Sequence, residues 1–79
     1  MPSSIPPALK SALIELRRVR SLKPDEDNWA AYADWREQMA TVLERLAGVL
    51  LYEGDRQQAR AEAGAAREQA TAIRAQRSS

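Results

Sequence analysis

Apolar residues recur at helical spacing along almost the whole chain, and proline or glycine interrupts them at only a few points. Leu9, Ala12, Leu13, Leu16 and Val19 follow the i, i+3, i+4, i+7 rule and share one face. Pro7 suits a first helical turn, where its missing N–H costs nothing. Lys23-Pro24 is a stop, because the residue before proline disfavours α geometry. The pattern predicts a first helix over 7–22. A second helix is expected over 27–53, capped by Asp25, Asp27 or Asn28, among which the sequence does not choose. At 100° per residue, Tyr32, Met39, Leu43, Leu46 and Leu50 form the centre of its apolar arc. Trp35, Val42 and Val49 widen the arc on one side, and Trp29, Ala47 and Leu51 on the other. One neighbour cannot cover so wide an arc, so the pattern predicts a central helix packed by two others.

Gly54 followed by Asp55 reads as the junction to a third helix over 56–76. Gly54 suits a left-handed residue closing the second helix, and Asp55 with Gln58 matches a capping box. The third helix carries a seam of Ala59, Ala63, Ala66, Ala70 and Ile73. Such a seam lets helix axes approach closely but buries little area, about 0.8 kcal/mol per methyl. The third helix is therefore expected to form readily and dock weakly. The sequence leaves open whether it folds back on its own chain or swaps onto another. The fold class is all-α: a three-helix antiparallel bundle, or a helix plus an αα-hairpin. A single domain over 7–76 is expected, with residues 1–6 disordered and 77–79 frayed.

Charge adds order to the picture. Residues 1–23 carry a net +4, residues 24–55 a net −6 and residues 56–79 a net +3, giving the chain +1. An acidic central helix between two basic ones favours antiparallel neighbours, although each surface pair adds only about 0–1 kcal/mol. A chain of 79 residues holds one domain with a marginal core, and such domains often lean on association.

The stretch 43–71 resembles one tetratricopeptide-type helical hairpin. Leu43 stands where that family has Trp, Leu46 matches its Leu, Ala47 its small position and Leu50 its Tyr position. Gly54-Asp55 matches the turn, Ala59 and Ala66 the small positions of the second helix, and Ala63 replaces an aromatic. The resemblance implies hairpin geometry and binding of protein. The Ala- and Arg-rich composition, with a Trp-x-x-Tyr helix entry, also resembles small helical proteins of actinobacteria, a likeness that implies no activity.

Candidate chemistry is sparse. The chain has neither His nor Cys, which removes the commonest base, metal ligands and nucleophile. Residues 25–27 are a carboxylate run without the spacing of a calcium loop, and read as capping. Asp34 and Glu37, one turn apart, read as a solvated face. No catalytic residue, cofactor, metal, small-molecule ligand or membrane span is expected. The first residues lack the charged-then-apolar order of a signal peptide, so a cytoplasmic setting is expected.

The function expected is a helical protein–protein interaction module, self-associating or binding a partner through the arc of the second helix. Its interface residues would be Trp29, Trp35, Arg36, Met39, Leu46 and Val49. Tyr32 and Trp35 also suit a small core. One alternative is a nucleic-acid-binding regulator using Lys10, Arg17, Arg18, Arg20 and Lys23, although no aromatic stacking residue lies near them. Their competing role is pairing with the acidic helix. Another alternative is an antitoxin-like subunit that orders in a complex. Ile14, Leu22, Leu51 and Tyr52 fall off the main stripes and add to the case for association.

Overall fold

The computed structural model describes residues 5–78. Three helices follow one another, α1 (Pro7–Arg20), α2 (Trp29–Val49) and α3 (Glu53–Ser78), with no strand among the described residues. Residues 1–4 and 79, parts of the termini expected to be disordered or frayed, lie outside the described residues. Helix α3 itself runs on past Gln76 to Ser78.

Each helix end has a local cause. Pro6 holds an extended ψ of 139° before Pro7, and its carbonyl accepts the Lys10 N–H at 3.0 Å. Helix α1 stops at Arg20, short of residue 22, because Ser21 turns its hydroxyl back onto the Arg18 carbonyl at 2.7 Å. Among the three cap candidates of α2 the structure selects Asn28, whose Oδ1 accepts the Ala31 N–H at 3.3 Å. The Asn28 N–H in turn donates to the Asp25 carbonyl at 3.1 Å, closing the turn before the helix.

The junction between α2 and α3 lies earlier than Gly54-Asp55 predicts. Helix α2 ends at Val49, and Leu50 leaves it with an extended ψ of 147°. The Arg56 guanidinium then donates through Nε to the Leu50 carbonyl at 2.8 Å, satisfying an acceptor freed at the helix end. Gly54 and Asp55 sit in the first turn of α3, and no described glycine has a positive φ. The expected left-handed closure and the Asp55–Gln58 capping box are therefore absent. Glu53 and Asp55 complement the positive end of the α3 dipole, while Gln58 donates to Glu62 at 2.9 Å. An acidic first turn and a capping box draw on the same residue types, so the sequence signal fits both positions.

Helix α2 is central, and its arc is divided between two neighbours. Glu44 pairs with Arg67, and Asp34 and Glu37 both pair with Arg74, which sets α3 antiparallel to α2 on its own chain. In this register Ala40 and Ala47 fall opposite Ala70 and Ala63. Ala33, Ala40 and Ala47, at i, i+7, i+14, are all buried, as are Ala59, Ala63, Ala66 and Ala70. Two alanine rows thus meet, and α3 lies alongside the full length of α2. The larger residues of α2 serve α1. The Trp35 indole N–H donates to the Val19 carbonyl at 2.7 Å, and Val42 lies with Val19 and Leu22. Trp35, Met39, Val42, Leu43 and Leu46 pack with Ala12, Leu16 and Val19 in one cluster.

Helices α1 and α3 flank α2 without meeting: no described Cα of one comes within 8 Å of the other. A closed triangle of helices 8–10 Å apart would be roughly 13 Å across in both directions. The molecule instead measures 22 × 13 Å in section and 56 Å in length. Its radius of gyration, 14.4 Å, exceeds the roughly 12 Å of an average compact chain of this length.

The seam sets two expectations. Ala66→Leu should cost about 1–3 kcal/mol by forcing α3 away from α2, read by urea unfolding. Gly64→Ala should instead stabilise by about 0.5–1 kcal/mol. A Cβ added at Gly64 meets nothing within 4 Å.

Candidate interaction surfaces

The side chains expected to form an interface separate into two groups. Trp35, Met39 and Leu46 are buried within the chain itself, in the cluster that α2 shares with Ala12, Leu16 and Val19 of α1 and Ala63 and Ala66 of α3. Val49 is half-buried and packs at the edge of the same cluster, while Trp29 remains exposed. Truncating Leu46 to Ala is therefore a core deletion, expected to cost about 2–5 kcal/mol, and would report on folding before it reported on binding.

What remains open is the space between α1 and α3. There a groove of about 250 Å³ is lined by Leu16 and Arg20 of α1, Leu43, Leu46 and Leu50 of α2, and Asp55, Gln58, Ala59 and Glu62 of α3. Its floor is leucine, one wall ends in arginine and the other in carboxylates. The large residues left exposed elsewhere are Ile5, Leu13, Ile14, Leu22 and Trp29, together with Leu51 and Tyr52 of the α2–α3 turn.

Arg36 occupies an unusual place in this surface. It lies seven residues before Leu43 and fourteen before Leu50, on the same stripe of α2 as the groove floor. Its guanidinium stands 5.7 Å from the centre of the Trp35 ring, which is itself tilted against Tyr32 at 5.5 Å. The Nε atom is shut off from solvent and has no hydrogen-bond partner among the described residues, although the side chain is only half-buried. The indole face offsets part of the charge. It does not accept the N–H in the way a carboxylate would.

The basic residues of α1 do not pair with the acidic face of α2. Arg18 pairs with Glu15 on its own helix, and Lys23 with Glu26 in the following loop. Lys10, Arg17 and Arg20 are exposed, and no ion pair joins them to another described side chain. The acidic side chains of α2 are committed to α3 instead. Asp34 and Glu37 converge on Arg74, so this carboxylate pair serves as a clamp. Glu44 takes two hydrogen bonds from the Arg67 guanidinium.

Sequence reasoning missed the alanine row Ala33, Ala40 and Ala47, although its i, i+7, i+14 spacing was available. It also treated Leu43 and Leu50 only as an arc and did not separate them from the side chains that α1 covers. Among the described residues no helix is long and apolar enough to cross a membrane.

The hydrogen bond from Arg67 holds the Glu44 carboxyl below its ordinary value, against a smaller opposing effect of burial. A carboxyl depressed in the folded state contributes stability above its unfolded pKa and loses it as pH falls through the folded value. Acid titration from about pH 5 downward should therefore loosen α3 from α2. Glu44→Gln should flatten that part of the stability profile and leave the neutral-pH fold intact, as followed by circular dichroism melts across pH. Comparisons with protein-family models, with curated proteins and with solved structures each return no match for this chain.

Proposed function

We propose that the protein is a helical protein–protein association module. The observation that carries this reading is the apolar surface left outside a core built largely of alanine. Leu51 and Tyr52 are 66% and 71% exposed at the α2–α3 turn, next in sequence to the Leu50 that floors the groove. Full burial of such side chains contributes about 1.5–3 kcal/mol each, and tyrosine is favoured at the centres of interfaces. The surface differs from the one that periodicity alone picks out. Helices α1 and α3 together cover most of the α2 arc, so association would use the groove between them and the turn at its end.

The test is site-specific photocrosslinking in cells. A photoreactive phenylalanine analogue at Tyr52 should give covalent adducts to protein, either a second copy or another chain. The same group at Gln38, exposed on the polar side of α2, should not. Equal yields at the two positions, or no adduct from Tyr52, would overturn the reading.

A further inference from the structure

We propose that the groove between α1 and α3 receives an amphipathic helix from another protein, one whose edge along α1 carries carboxylates. The proposal rests on the association reading above and adds to it the chemistry of the partner.

The groove is walled asymmetrically in charge. Lys10, Leu13, Arg17 and Arg20 fall at i, i+3, i+7, i+10 and so form one stripe of α1. Arg20 brings that stripe to the groove's edge. None of its three cations has an ion pair among the described residues. Among the described residues Arg36, on the floor stripe, is a fourth unpaired cation, and its buried Nε–H meets no acceptor. Leaving such a donor unmade is costly, and a carboxylate arriving beside it would be held in a partly desolvated setting where charge-assisted bonds are strong. The opposite wall ends in Asp55 and Glu62. A partner helix therefore needs an apolar stripe for the leucine floor, carboxylates toward α1 and Arg36, and neutral or basic groups toward α3. The α1 wall from Leu9 to Arg20 is about 17 Å long at 1.5 Å per residue, matching a partner segment of about three turns.

A second copy fits this chemistry poorly. The carboxylates of α2 are tied to Arg67 and Arg74, and Glu15 to Arg18. Asp55 and Glu62 already form the groove's other wall. Glu68, on the outer face of α3, has no ion pair among the described residues, but the exposed residues along its stripe are Ala61, Ala65 and Ala72, too small to fill a leucine-floored groove.

The probes are two synthetic helical peptides of about fourteen residues with the same leucine stripe. One carries glutamates beside the stripe and the other lysines. Binding to the full chain is followed by fluorescence anisotropy, and the Arg36 Nε–H is followed by nuclear magnetic resonance. The glutamate peptide should bind about tenfold tighter or more than the lysine peptide, with weakening in salt, and should shift the Arg36 Nε–H resonance. Arg36→Gln and, independently, the exposed Arg20→Glu should each remove most of that preference. Arg45→Gln, outside the groove, should leave it unchanged. Equal affinities, tighter binding of the lysine peptide or an unmoved Arg36 resonance would overturn the proposal. So would a protein dimer that dissociates on Arg20→Glu, or a clear preference for a single-stranded oligonucleotide over the glutamate peptide. Crosslinking at Tyr52 with no charge preference in the peptides would sink this inference and leave the association reading standing.

Discussion

Everything in this structure follows from the demand that one helix serve two neighbours from a single apolar arc. Helix α2 meets it by dividing its side chains by size. Alanines at 33, 40 and 47 lie on the α3 side, Trp35 and Val42 on the α1 side, and Leu43 and Leu46 between the two. Alanine against alanine brings two backbones close and buries little area. The α2–α3 pair therefore relies on length, helix propensity and the charged clasps at Arg67 and Arg74. The α1–α2 pair is shorter and uses larger side chains.

Trp35 joins the two halves. Its indole N–H reaches the Val19 carbonyl near the end of α1, which also accepts the Leu22 N–H at 3.0 Å. Its ring face meets the Arg36 guanidinium on the α2 stripe between the two flanking helices. One side chain thus fixes the end of α1 and orients a cation on the same stripe of α2 as the groove floor. With α1 and α3 held apart by the width of the arc, a leucine floor stays open between them.

The charge arrangement separates holding from availability. The acidic groups of α2 are used inward, on the arginines of α3. Lys10, Arg17 and Arg20 of α1 are left over, and Arg20 borders the groove. An acidic helix between two basic ones can neutralise both only if its carboxylates face both. Asp34, Glu37 and Glu44 lie together on the α3 side of the arc, so α1 remains uncompensated.

The sequence by itself determined the three helices, the alanine seam of α3 and a central α2 too apolar for one neighbour. Those features rest on residue spacing and local propensity, which operate within a few turns. Tertiary structure decided the rest. It placed the α2–α3 turn at Leu50, Leu51 and Tyr52, because Arg56 reaches back to cap the Leu50 carbonyl while Gly54 and Asp55 serve equally well inside the first turn of α3. The Asn28 cap of α2 is a local bond to Ala31, a choice among neighbours of the same chemistry that spacing alone does not make. Tertiary structure also decided which part of the arc stays open, since periodicity gives the direction of a side chain but not the angle between the helices that come to cover it.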